Sequence, residues 1–199
     1  QKQILDQLET YKVRVKVTPS IKSLVNGELR AQDIRDVEIE DLLGRDQVEP
    51  DADLLAVCIR DKNVLVSGAG GSIGSELCRQ ILRQNPSRLI LLEMSEFSLY
   101  SIEQELAALR DQIAPDCEIK PFLGTIHDSA KLNKIFTSFQ IDTVYHAAAY
   151  KHVPLVEHNP IEGIRNNVFG TLALAQAAIT AGVKQFVLIS TDKAVRPTN

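Results

Sequence analysis

The spacing of apolar positions changes period repeatedly along this chain, and each change marks an element. Val64-Leu65-Val66-Ser67 is a short run with β-branched residues that stops at a glycine cluster. Ile73, Leu77, Ile81 and Leu82 then recur at helical spacing, so a strand feeds directly into a helix. Arg88 to Glu93 reads as a second buried strand, followed by a helix whose buried face carries Leu99, Ile102, Leu106, Leu109 and Ile113. Ile119 to Leu123 predicts a third strand, interrupted by Pro121, that turns through Gly124-Thr125-Ile126-His127-Asp128. A fourth strand, Ile141 to His146, runs into Ala147-Ala148-Ala149. The helix expected next, from about Pro160 to Ala181, sets Asn166 and Asn167 in an apolar pattern of Ile164, Val168, Leu172 and Leu174. Phe186 to Ser190 is the fifth strand. This alternation predicts an α/β fold: a Rossmann-type parallel sheet flanked by helices, truncated after the fifth strand and preceded by the tail of another domain.

Upstream of the first glycine the pattern is weaker. Ile4 and Leu8 share one face of a short helical stretch, and Val13 to Val17 alternates as a half-buried strand, so residues 1–25 read as the tail of an earlier domain. Residues 26–60 are expected to be a linker and a short helix near Asp53 to Arg60. The linker text carries Asp33, Asp36, Glu38, Glu40, Asp41, Glu49, Asp51 and Asp53, with too few apolar positions to build a core. Residues 61–199 then form the Rossmann domain.

Composition narrows the class. The chain has 199 residues, 44% of them hydrophobic and 24% charged, close to the globular average, which excludes a fibrous or unstructured chain. A net charge of −4 argues against a broad surface for nucleic acid or anionic lipid. Cys58, Cys78 and Cys117 show no paired spacing, and His127, His146, His152 and His158 show no metal spacing, so neither a disulfide framework nor a metal site is expected. No signal peptide or membrane-spanning apolar run is present in these residues.

The candidate chemistry clusters at the predicted strand ends. Gly68, Gly71 and Gly74 follow the first strand in a G-x-x-G-x-x-G spacing, with Ser72 and Ile73 opening the helix. Such a turn admits positive φ and close backbone approach, and a helix start offers unpaired N–H groups to a pyrophosphate. Glu93 stands 19 residues beyond Gly74, where a carboxylate accepts hydrogen bonds from an adenosine ribose. No arginine or lysine lies between Glu93 and Ser101 to neutralise a 2′-phosphate, so NAD is expected rather than NADP. Thr125 and Ile126 would lie beside the adenine. Ala147, Ala148 and Ala149 would form a small-residue wall on the nicotinamide side. Asn167 in a helix is expected to satisfy a neighbouring loop. Thr191-Asp192-Lys193 sets a hydroxyl, a carboxylate and an amine at the end of the fifth strand, a candidate acid–base set.

Four stretches together carry a family resemblance: Gly68 to Gly74, Glu93-Met94-Ser95-Glu96-Phe97-Ser98-Leu99-Tyr100, Ala147-Ala148-Ala149-Tyr150-Lys151-His152-Val153-Pro154, and Ser190-Thr191-Asp192-Lys193-Ala194-Val195 onward to Asn199. They resemble the UDP-N-acetylglucosamine 4,6-dehydratases of bacterial polysaccharide biosynthesis, which are extended short-chain dehydrogenases. One departure is Thr125, where that family commonly has an aspartate for the adenine amino group. Residues before 60 resemble the family's long, membrane-anchored form, in which a nucleotide-binding domain precedes the catalytic one.

The resemblance implies a reaction: oxidation of a UDP-N-acetyl-hexosamine at carbon 4 with NAD, loss of water across carbons 5 and 6, and reduction at carbon 6. It assigns Lys193 as the base at carbon 5, Asp192 as the acid for the departing hydroxyl, and Thr191 as a hydrogen-bond partner of the substrate. Lys151, Asn166 and Asn167 would contact the sugar nucleotide, Lys151 also lying near the nicotinamide ribose. It further implies a homo-oligomer at the cytoplasmic face of the bacterial inner membrane, anchored only through segments outside this chain, with the chain itself soluble, cytoplasmic and catalytically silent alone. Two other readings stand beside it: a sugar-nucleotide 4-epimerase, disfavoured by Lys193 after Asp192, and a NAD-binding module without activity.

Overall fold

A computed structural model of the chain describes residues 16–17, 35–36 and 51–191. The chain falls into two units, Gln1–Pro50 and Asp51–Asn199. In the first, β1 (Lys16–Val17) pairs antiparallel with β2 (Arg35–Asp36), Lys16 opposite Asp36. Arg35 and Asp36 lie in the stretch expected to be a linker. The second unit starts earlier than residue 61. Helix α1 (Ala52–Val57) is capped by the Asp51 side chain, which accepts from the Asp53 and Leu54 amides. Ile59, just after it, is buried in the core, and Thr143 Oγ1 donates to the Cys58 carbonyl at 2.7 Å.

The second unit runs β3 (Asn63–Ser67), α2 (Ser72–Leu82), β4 (Arg88–Glu93), α3 (Glu96–Ile113), β5 (Glu118–Leu123), α4 (Ser129–Phe139) and β6 (Thr143–His146). It continues through α5 (Val153–His158), α6 (Pro160–Ile164), a π-helical turn (Arg165–Gly170), α7 (Thr171–Thr180) and β7 (Gln185–Leu188). The five strands are all parallel, in the order β5-β4-β3-β6-β7. Successive strands first step one way from β3 and then the other, which makes the carboxyl ends of β3 and β6 the switch point where open α/β sheets bind ligands. Pro121 does not interrupt its strand. It sits inside β5 opposite Leu91, at the sheet edge, where a missing N–H costs no ladder bond.

Period-two alternation builds two cores. Val64, Val66, Leu89 and Leu91 face Cys78, Ile81, Leu82, Ile102 and Leu106 of α2 and α3. Leu65, Ile90, Leu92 and Val144 face Leu132, Ile135 and Phe136 of α4 and Leu174, Ala177 and Ala178 of α7. Two sequence expectations about helix faces change. Ile73 is 52% exposed, because it lies in the first turn of α2 beyond the sheet, and Cys78 takes the inward position. Ile164, Val168 and Leu172 are also exposed. The buried positions there are Gly163, Asn166, Gly170 and Leu174, one continuous face at three- and four-residue spacing.

On α2 and α3 the helices are bridged by Arg79, which donates from Nε to Glu105 Oε1 at 2.6 Å and from a second nitrogen to Oε2 at 2.9 Å. That guanidinium holds Glu105 below the usual carboxylate range. The two side chains are 28% and 48% exposed, so the pair is expected to contribute at most about 1 kcal/mol. Adjacent Leu106 is fully buried. In urea unfolding, Leu106→Ala should cost about 2–5 kcal/mol and Glu105→Gln no more than about 1 kcal/mol. Equal losses at these neighbouring positions would contradict the packing described here.

Candidate active site

The turn after β3 is shaped by what a side chain would strike. Gly68 has φ of +70°, and a Cβ there would lie 2.8 Å from the Ala148 backbone. A Cβ on Gly74 would fall 1.9 Å from the Gly68 carbonyl oxygen, and one on Gly70 would fall 2.5 Å from Ser98 Cβ. Gly71 N–H donates to the Gly68 carbonyl at 3.1 Å, and Gly71 then caps α2 without a side chain. The first-turn amides of an 11-residue helix therefore begin directly at the turn, the arrangement that attracts phosphate. Gly70, absent from the sequence-predicted set, is also constrained; its close neighbour Ser98 belongs to α3, which spacing along the chain does not reveal.

Glu93 closes β4 and is 8% exposed. Its Oε2 accepts from the Gly70 amide at 3.0 Å, and its Oε1 accepts from Met94 N–H at 2.8 Å and Ser95 N–H at 3.0 Å. Two carboxylate oxygens offer about four acceptor directions, so three are used by the protein and one remains for a ligand hydroxyl. The carboxylate thus ties the glycine turn to the end of the neighbouring strand.

A cleft of about 200 Å³ opens between these groups. Gly68, Gly70 and Gly71 form its floor, Glu93, Met94 and Ser98 one bank, Ala147, Ala148, Ala149 and Tyr150 the other, and Thr125, Ile126 and Asn166 one end. Of the predicted positions, Gly68, Gly71, Glu93, Thr125, Ile126, the three alanines and Asn166 come together here. Thr125 Oγ1 accepts from the His127 amide at 3.1 Å, so this hydroxyl is partly engaged by its own turn. Gly74 acts beneath the turn rather than in the cleft. Ser72, Ile73 and Lys151 are exposed and do not line it; Lys151 lines a second cleft of about 370 Å³, with His152, Leu155 and Glu162.

Asn167 proves to hold backbone, as its position in a helix suggested. Its Oδ1 accepts from Tyr150 N–H at 2.9 Å, and its Nδ2 donates to the Tyr150 carbonyl at 2.9 Å. Asn166 Nδ2 donates to the same Oδ1 at 3.0 Å. Asn167 thus clamps the loop after β6. Thr191 is exposed beyond β7, whereas Asp192 and Lys193 lie outside the described residues.

These features define the class: a Rossmann-type α/β domain of the extended short-chain dehydrogenase kind. The chain belongs to the polysaccharide biosynthesis protein family, whose model matches residues 64–199. It is 46% identical over 181 residues to the capsular polysaccharide biosynthesis protein CapD of Staphylococcus aureus, covering 91% of this chain and 30% of that protein. It is 34% identical over 139 residues to a UDP-N-acetylglucosamine 4,6-dehydratase (inverting) of Campylobacter jejuni, covering 69% and 39%. Among solved structures, a UDP-glucose 4-epimerase of Stenotrophomonas maltophila with bound NAD and formylated UDP-arabinopyranose superposes with a TM-score of 0.59 at 26% identity, covering 66% of this chain and 38% of that one. The chain spans about a third of the length of the curated relatives it matches. Among its described residues no helix is long and apolar enough to cross a membrane.

His146, which has no metal-ligand spacing in the sequence, ties the ends of β3 and β6 to the start of α7. It lies opposite Ser67 in the parallel ladder, and its Nδ1 pairs with Ser67 Oγ at 2.7 Å. Its Nε2 pairs with Thr171 Oγ1, just after the π-helical turn, at 2.8 Å. The ring is 2% exposed, and burial without a compensating charge pulls it down to about 4. An unfolded histidine takes a proton near pH 6.5, so between the two values the unfolded chain binds more protons than the folded one. Stability should therefore fall as pH drops from about 6.5 to about 4, by about 3 kcal/mol from this group, and the contribution is complete above pH 6.5. Urea midpoints across that range should show the slope in the parent and lose it in His146→Gln; an unchanged slope would reassign it to other groups.

Proposed function

We propose that this chain is the NAD-binding part of a sugar-nucleotide 4,6-dehydratase acting on a UDP-N-acetyl-hexosamine for polysaccharide or glycan biosynthesis. The observation that carries the reading is the cleft at the switch point. It has a side-chain-free floor at Gly68, Gly70 and Gly71, a helix start beside that floor, and a buried carboxylate with one acceptor direction left at the ribose position. These residues fit a dinucleotide. Gly68, Gly71 and the first turn of α2 at Ser72 and Ile73 would hold the pyrophosphate, Glu93 one ribose hydroxyl, and Thr125 with Ile126 the adenine. Ala147 to Ala149 would admit the nicotinamide side. When bound there, NAD supplies a hydride acceptor that later returns the hydride. The NAD complex of the similar epimerase supports the same choice of cofactor.

Dehydration, rather than epimerisation, rests on Asp192 and Lys193 and on the likeness to the Campylobacter dehydratase. In this reading Lys193 removes the proton at carbon 5, Asp192 protonates the leaving hydroxyl at carbon 6, and Thr191 orients the sugar. Lys151, Asn166 and Asn167 take the sugar nucleotide. The likeness to epimerases supports a second reading, a 4-epimerase, which needs no proton transfer at carbon 5. The remaining parts of the proposal are a homo-oligomer and membrane anchoring at the cytoplasmic face through segments outside this chain.

Two measurements test this. Isothermal calorimetry on the full-length protein should show NAD binding roughly ten- to a hundredfold more tightly than NADP, because a 2′-phosphate removes a charge-assisted hydrogen bond of about 1.5–3 kcal/mol and adds repulsion at Glu93. Equal affinities would mean that Glu93 does not read the ribose. With UDP-N-acetylglucosamine as substrate, the full-length protein should form a 4-keto-6-deoxy product and exchange the carbon 5 proton with deuterated solvent. Lys193→Ala should slow that exchange about 100- to 10,000-fold. Exchange at the parent rate would show that another group is the base, and a 4-epimer without carbon 5 exchange would establish the second reading.

A further inference from the structure

The cleft is bridged from bank to bank. Met94 follows β4 and Tyr150 follows the alanines after β6, and these strands are separated by β3, so their axes lie about 10 Å apart at two ladder spacings. The two side chains nevertheless meet: the Tyr150 hydroxyl lies 3.6 Å from Met94 Sδ, a hydroxyl donor against a weak thioether acceptor. The contact therefore passes over the end of β3 and the turn at Gly68, which is where the pyrophosphate is placed above. Tyr150 is 40% exposed and Met94 53%, and both line the cleft. From behind, Asn167 grips both polar atoms of the Tyr150 backbone, so the residue is anchored at its main chain while its ring reaches outward. The cleft as a whole, about 200 Å³, is below the roughly 300–1,000 Å³ of ordinary ligand sites.

We propose that Tyr150 and Met94 form a gate over the cofactor cleft, which parts to admit a dinucleotide and recloses over it. Asn167 serves as the fixed hinge post, and Tyr150 is the moving leaf. The inference rests on the reading of this cleft as a dinucleotide site and adds to it the step that controls entry and release. A weak hydroxyl–thioether latch suits that step, because it opens on thermal motion, whereas a charged pair in the same place would hold the cleft shut. Lids of this kind act on binding rates in both directions, since the same leaf that hinders entry also hinders escape.

Stopped-flow binding of NADH to the full-length protein, followed by the fluorescence of the bound nicotinamide, tests this directly. Tyr150→Ala should raise both the association and the dissociation rate, each about fivefold or more, with a smaller change in their ratio. Tyr150→Phe and Met94→Leu keep the bulk and remove only the hydroxyl–sulfur contact, and each should raise the association rate by about two- to threefold. Urea midpoints within error of the parent show that the fold is retained; these two volume-preserving variants keep the test valid if Tyr150→Ala does not fold. Rates unchanged in all three variants would overturn the gate while leaving the dinucleotide site intact. A rise in dissociation alone would also overturn it, showing Tyr150 as a plain contact. Failure of the parent protein to bind NADH at all would overturn the dinucleotide reading and the gate with it.

Discussion

Backbone crowding at Gly68 is the constraint on which the site depends. Its carbonyl stands where a Gly74 side chain would be, and a Cβ on Gly68 itself would strike the Ala148 backbone, so two strand ends and a helix start converge without side chains between them. Only a turn with φ of +70° brings the chain from β3 into α2 at that distance. Everything that makes the cleft usable for a phosphate-bearing ligand follows from this convergence, because amides can approach a ligand only where no Cβ stands in the way.

Convergence of this kind has to be held, and polar side chains do the holding. Glu93 fixes Gly70 and the start of the loop after β4 with three amide bonds. His146 fixes the ends of β3 and β6 to the start of α7 through two hydroxyls. Asn167 fixes the loop after β6 to the π-helical turn. Each is a polar group satisfied mainly by protein partners, which makes the scaffold stiff on three sides of the cleft. Met94 and Tyr150, whose side chains meet only through one weak contact, are then the pieces of the rim free to move. Stiff walls with one loose bridge form a site in which ligand exchange is a local event.

Relatives show where such a scaffold is used, and the chain's own residues narrow the use. Polysaccharide biosynthesis proteins and a dehydratase are similar to this chain in sequence, and an epimerase is similar to it in fold. A shared fold does not choose among reactions; in the dehydratase reading proposed here that choice falls to Thr191, Asp192 and Lys193.

The amino-acid order by itself determined the local part of this structure. Strand periods, the glycine turn, the offset of Glu93 and the run of three alanines are statements about neighbours in the chain, and all appear where the sequence puts them. Helix α4 is equally legible from Leu132 with Ile135 and Phe136, three and four residues on. Tertiary structure alone decided which groups meet across the sheet. Ser67 reaches His146 because β3 and β6 are neighbours despite 79 residues between them, and Gly70 is crowded because α3 folds back on the turn. Asn167 holds the Tyr150 backbone because the Arg165–Gly170 turn lies beside the loop after β6. Periodicity reports the face an element presents; only strand order and helix register say what that face meets.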